Sequence, residues 1–186
     1  MFERRRARKR MKEAESLSAS TPDGTLVRVT GTVRKLDMHL LAPTTGRPCV
    51  AFSIRVYEPS QHEPGGMGQS APFDYVELVP FAIENEELGR VVIDSQFADL
   101  LVPEHRAERL SDQHWTDFCD ARALSPSSTG TERPIMNGDI VTVLGTSARR
   151  ATPPGKEAGF RESPTQLCLV GDFDHPLLII DEAIED

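Results

Sequence analysis

Short runs with apolar side chains at every second position, separated by clusters of Pro, Gly, Ser and Asp, constrain this chain more than any other feature. "LVRVTGTVRKL" (26–36) and "CVAFSIRVYE" (49–58) alternate apolar and polar with many β-branched residues, which is the pattern of half-buried strands. Gly31 within the first run predicts a bulge or sharp bend. "FDYVELVPFAIEN" (73–85, broken at Pro80), "GRVVID" (89–94), "NGDIVTVLGTSARR" (137–150), "TQLCLVGD" (165–172) and "HPLLIIDE" (175–182) continue the pattern. The stretches 59–72, 125–134 and 151–164, rich in Pro, Gly and Ser, read as loops. The period changes once. Ala107, Leu110, His114, Phe118 and Ala121 recur every three to four residues and predict one helix over about 104–124. About seven short strands with one inserted helix describe a mainly β fold, a small barrel or sandwich.

Charge divides the chain in two. Residues 1–12, "MFERRRARKRMK", hold seven of the 21 Lys/Arg and one of the 29 Asp/Glu, a balance of +6 within a total of −8. The other 174 residues keep 14 basic and 28 acidic side chains, or −14. The body therefore repels phosphate backbones, and attraction to lipid or nucleic acid must come from Arg4, Arg5, Arg6, Arg8, Lys9 and Arg10. Like charges in a run predict a solvated, disordered tail, and residues 13–24, "EAESLSASTPDG", read as a polar linker. The expected organisation is thus a disordered segment over 1–24 and one β domain over 25–184. Two further readings of the basic run are the flank of a membrane anchor, where Lys/Arg collect and bind anionic lipid, and a nucleic-acid arm. No aromatic residue is interleaved among Arg4 to Arg10 to stack on bases.

No stretch approaches the ~20 apolar residues needed to span a bilayer, and no signal-peptide core follows the basic run. The expectation is a cytoplasmic protein, peripheral at the inner membrane at most. Cys49, Cys119 and Cys168 are three and widely separated, which argues against a disulfide framework and suits a reducing compartment.

"LLAPTTGRPCVAF" (40–52) poses the sharpest local question, whether Cys49 is a presented nucleophile. A catalytic cysteine needs a neighbouring base and an electropositive, accessible setting, whereas Cys49 opens an apolar strand, where a cysteine serves as a small hydrophobe. Pro43 and Pro48 keep Thr44 to Arg47 out of a regular ladder and Gly46 permits positive φ, so the stretch reads as a hairpin corner. Its exposed chemistry is Arg47. The five histidines, His39, His62, His105, His114 and His175, are scattered with no paired spacing, and "GKE" at 155–157 lacks the glycines and Ser/Thr of a phosphate loop. No catalytic constellation, cofactor, metal or small-molecule substrate is expected.

"VTGTVRKLDMHLLAPTTGRPCVAFSIRV", "PFAIENEELGRVVID", "MNGDIVTVLGTSA" and "FDHPLLIIDEAIED" follow one another in an order that resembles the GIDE (beside-a-membrane, BAM) domain. The specific phrase is Ala42-Pro43-x-Thr45-Gly46-Arg47-Pro48-Cys49, with Gly138-Asp139-x-Val141 and a terminal Leu-Ile-x-Asp phrase far downstream. That domain occurs in membrane-anchored RING E3 ubiquitin ligases of mitochondria and in RING-less bacterial proteins. The resemblance implies an OB-like or barrel-like noncatalytic interaction module near a membrane, with an unknown protein partner. Ubiquitin-ligase activity is not expected, because the RING cysteines are absent. The resemblance also makes "ERRRARKR" the flank of a spanning helix, lost or encoded upstream of Met1. Arg47 and Arg34 are the candidate partner contacts. The alternative is an OB-like nucleic-acid binder, whose face would have to draw on Arg34, Phe52, Arg55 and Tyr57.

Overall fold

In a computed structural model the described residues are 2–58, 72–94, 97–101, 112–125, 127–151 and 165–181. In chain order they form α1 (Phe2–Glu13), β1 (Glu15–Ser16), β2 (Leu26–Lys35), β3 (Leu40–Leu41), β4 (Pro48–Cys49), β5 (Ala51–Tyr57), β6 (Phe73–Leu78), β7 (Phe81–Asn85), β8 (Gly89–Ile93), β9 (Ala98–Leu100), α2 (Asp112–Ala121), β10 (Thr129–Ile135), β11 (Ile140–Ala151), β12 (Thr165–Val170) and β13 (Leu177–Ile180).

Five of these strands close a barrel in the order β2-β7-β8-β12-β11, with β11 returning to β2. Every neighbouring pair is antiparallel except β8 and β12, which run parallel through Cys168↔Val92 and Leu169↔Ile93. Together with the strand order, this places the chain among OB-like barrels, as the mainly β reading expects. β13 and β9 extend the sheet beyond β11, and β1 pairs with the start of β2.

Closure depends on two long strands that change partners along their length. β2 pairs with β11 from Leu26 to Thr32 and with β7 from Thr32 to Lys35. β11 pairs with β13 from Thr142 to Leu144 and with β12 from Thr146 onward. Gly31 and Gly145 lie at the two hand-over points. A Cβ on Gly31 would overlap the Glu84 carbonyl, and one on Gly145 would overlap the Leu177 side chain. No bulge interrupts the register at Gly31, where one was predicted; the residue is instead at a close backbone approach that only glycine permits. Alternate residues Val27, Val29 and Val33 of β2 turn inward against Ile83, Val91, Ile93, Val141, Val143, Leu169 and Ile179 to form the main core.

A second layer grows from the connections between barrel strands. β10, β5 and β6 make a separate three-stranded antiparallel sheet. Phe52, Ile54 and Val56 project from one face of β5 onto Trp115, Phe118 and Cys119 of α2. The helix presents Trp115, Phe118 and Cys119 inward, while His114 is half-buried and Ala121 exposed. The 114/118/121 stripe expected from spacing is therefore rotated. Residues 104–111, including Ala107 and Leu110, lie outside the described residues, as does most of the 59–72 loop.

Two segments depart from the sequence reading. The stretch 125–134, which contains Gly130 and Pro134, reads as a loop from its sequence, yet 129–135 form β10. Both residues fit this strand for specific reasons. β10 lies at a sheet edge, where a missing N–H is tolerated, and a Cβ on Gly130 would stand 2.8 Å from the Trp115 ring. Residues 1–24 were expected to be disordered, yet 2–13 are helical and 15–16 join the sheet. Arg, Lys, Glu, Ala and Met are good helix formers, and Ala7 and Met11, one turn apart, are buried against Leu144, Leu178 and Ile180 on the outside of the barrel. The linker is tied down as well: Arg149 Nη1 donates to Asp23 at 2.6 Å and its Nη2 to the carbonyls of Ala19 and Thr21 at 2.8 and 2.9 Å.

Candidate functional site

β3 and β4 form a two-rung hairpin, Leu40↔Cys49 and Leu41↔Pro48, whose turn is 42–47. The Gly46 N–H donates to the Ala42 carbonyl at 2.8 Å, and the Ala42 N–H to the Arg47 carbonyl at 3.0 Å. Gly46 has φ +68, and a Cβ there would come within 2.9 Å of the His114 ring, so glycine is required by both backbone and packing.

The turn is clamped from the neighbouring sheet. Glu132 of β10 stands opposite Ile54 and shares the face covered by α2, with no exposed surface. Its carboxylate accepts the Thr44 N–H at 2.6 Å on one oxygen and the Thr45 hydroxyl at 2.6 Å on the other. Ala42, Pro43 and Thr44 are buried by this arrangement, and Arg47 remains exposed at its rim. Sequence reasoning missed Glu132: it lies 88 residues from Thr44, and nothing in "TGTERPI" marks its glutamate as buried.

Cys49 is buried beside this clamp, its Sγ 3.7 Å from the Leu40 carbonyl. Burial, reinforced by the negative charges of Glu132 and Glu77, pushes its thiol up to about 12. It is thus a protonated core side chain at neutral pH, the reverse of an activated nucleophile. Burial also pushes the Cys168 thiol up, against the opposing effect of Arg150, and Cys119 is buried in the α2 interface. Among the described residues no three His, Cys, Asp or Glu side chains gather in a metal-holding group.

The four residues proposed for an OB nucleic-acid face do not share a surface. Arg34 lies on barrel strand β2, and its Nε meets the Glu84 carboxylate at 2.6 Å. Phe52, Arg55 and Tyr57 belong to the separate sheet. Phe52 is buried beneath α2, edge-on to Phe118, so it cannot stack on a base. Arg55 is held by Asp74 through two contacts of 2.8 Å, which in turn hold the Asp74 carboxyl below its ordinary range. Arg122 is similarly engaged, lying 4.1 Å over the Phe118 ring and 2.7 Å from Glu77.

The basic cluster lies on α1. Arg4, Arg5 and Arg6 fall within α1; Arg8, Lys9, Arg10 and Lys12 are exposed on it, with Lys9 3.6 Å from Glu13. Among the described residues no helix is long and apolar enough to cross a membrane. Comparison with family models, with curated proteins and with solved structures found no match to this chain.

Proposed function

We propose that this chain is a noncatalytic, GIDE-like interaction module of a bacterial protein, working at the inner face of a membrane with α1 as its lipid contact. The observation that carries the reading is the docking of α1: Ala7 and Met11 are buried on the barrel, and Arg8, Lys9, Arg10 and Lys12 stay exposed. Each Lys or Arg held near an anionic surface contributes ~1 kcal/mol. At about 100° per residue Arg8, Lys9 and Lys12 share one arc of α1 while Arg10 lies on its flank, so two or three of the four reach one bilayer and favour anionic over neutral lipid by roughly 2–3 kcal/mol, about 30- to 150-fold. The Lys9–Glu13 pair lowers that figure. With the apolar stripe of α1 occupied by the barrel, the contact is electrostatic and sensitive to salt.

The buried, protonated Cys49 supports a noncatalytic role, and ubiquitin transfer has no RING to support it. Of the two arginines proposed as partner contacts, Arg47 is favoured, since Arg34 is engaged by Glu84. The OB-like strand order favours a second reading, single-stranded nucleic acid, which the charge of the body and the dispersal of Arg34, Phe52, Arg55 and Tyr57 oppose.

The test is co-sedimentation of the full chain with phosphatidylcholine vesicles with and without phosphatidylserine, beside anisotropy with labelled single-stranded DNA. Charge reversal at Lys9 and Arg10 (K9E, R10E) is preferred to deletion of residues 1–12, which would strip Ala7 and Met11 from the core. Binding to phosphatidylserine vesicles that is lost in the charge-reversed protein is the expected result. Vesicle binding indifferent to those substitutions, or salt-sensitive DNA binding that survives them, would overturn the reading.

A further inference from the structure

Two aromatic rings face solvent where the connection before β9 meets the turn between β12 and β13. Phe173 is 81% exposed and Phe97 43% exposed, and their rings meet edge to face at 6.1 Å. A single exposed apolar side chain is ordinary; a pair on a stiff mount is less so. The Asp172 N–H donates to the His175 carbonyl at 3.0 Å, and the His175 N–H donates back to the Asp172 carboxylate at 2.6 Å, which closes the turn beneath Phe173. The Leu177 N–H donates to the Phe97 carbonyl at 3.0 Å, and a Cβ on Gly171 would stand 2.9 Å from that same oxygen. Backbone hydrogen bonds thus hold together the two segments that carry the rings, so the backbone beneath them has little conformational freedom left to lose on binding.

Among the described residues, those next to the pair in sequence are mostly acidic: Asp172 and Asp174 flank Phe173 and Asp99 lies two residues beyond Phe97, all three exposed, with His175 Nδ1 3.5 Å from the Asp172 carboxylate. Asp94, nearby in sequence, is paired with Arg150. The flanking carboxylates repel anionic lipid and nucleic acid, so this surface suits neither of them. They complement a cation, and the rings complement an apolar side chain.

We propose that the Phe97–Phe173 pair is a protein-docking site for a basic segment of a partner that carries an apolar anchor residue. The proposal rests on the interaction-module reading and names the surface that the protein partner uses, separate from the lipid-facing α1. A preorganised aromatic pair at the centre with charges around it is the arrangement from which binding hot spots are built.

The test uses three labelled short peptides with the full chain: one rich in Lys and Arg with a central Leu, its twin with Ser in place of Leu, and its twin with Glu in place of Lys and Arg. The basic Leu peptide is expected to bind best, with Phe173→Ala weakening it about tenfold or more and D172N/D174N flattening its salt dependence. The melting temperature of F173A should match that of the parent, because the side chain is so exposed. Equal binding of the basic peptide to parent and F173A, or no preference for it over its twins, would overturn the proposal. Vesicle association separates the two sites. F173A is expected to retain it, and its loss together with peptide binding would overturn the assignment of a separate docking surface. K9E/R10E is expected to retain peptide binding whether or not the vesicle reading holds.

Discussion

Removal of the Glu132 carboxylate should loosen the turn at 42–47 more than any surface change in it. Glu132 has no exposed area and receives two hydrogen bonds of 2.6 Å, from the Thr44 N–H and the Thr45 hydroxyl. In Glu132→Ala the buried Thr44 N–H loses its acceptor, at ~1–3 kcal/mol. The half-buried Thr45 hydroxyl recovers water in part, at about 0.5–1 kcal/mol. The space left by the deleted side chain adds roughly 1 kcal/mol. The expected loss is therefore about 2.5–5 kcal/mol, a large share of the ~5–15 kcal/mol that holds a domain together, and corresponds to a fall in melting temperature on the order of 10 °C. Glu132→Gln retains one acceptor oxygen for Thr44 and turns an amide toward the Thr45 hydroxyl, which can rotate to accept; its loss should be about 1–2 kcal/mol. Urea unfolding followed by circular dichroism measures both. Equal stability of E132A and the parent, or a greater loss in E132Q than in E132A, would refute the clamp.

Gly130→Ala drives a methyl into the Trp115 ring and within 3.0 Å of Ile54 Cδ1, and should cost about 1–3 kcal/mol in the same assay by overpacking. Cys49, with its thiol pushed up to about 12 from 9.0, should resist iodoacetamide at pH 8 in the native chain and react once urea unfolds it, as read by mass spectrometry. The sign follows from the raised value: the folded state favours the neutral thiol, so this contribution is complete below about pH 9 and disappears as pH rises from there toward 12. In Cys49→Ser that part of the alkaline loss of stability should be absent.

The strands of the barrel were legible because strand character is a local property. A run such as Val27, Val29 and Val33 with polar residues between announces one buried face whatever lies opposite. The turn at 42–47 was legible for the same reason, since Pro43, Gly46 and Pro48 restrict their own backbone. Cys49 could be placed inward from its neighbours alone. Four other features were hidden, each by distance along the chain. α1 looked like a solvated tail because its apolar stripe is as narrow as Ala7 and Met11, and only the outer face of β11 and β13, more than a hundred residues away, makes burying it worthwhile. β10 looked like a loop because Gly130 and Pro134 are strand breakers in isolation, and edge position and the Trp115 ring reverse that meaning. Phe52 looked like an available stacking surface until α2 covered it. Glu132 shows the rule most clearly: a glutamate's default is the surface, and what holds this one inside is a pair of donors brought to it by the fold. Alternation and turn chemistry are written residue by residue. Burial of a charge, docking of a short helix and the make-up of a binding face are properties of pairs, and those pairs exist only once the barrel has closed.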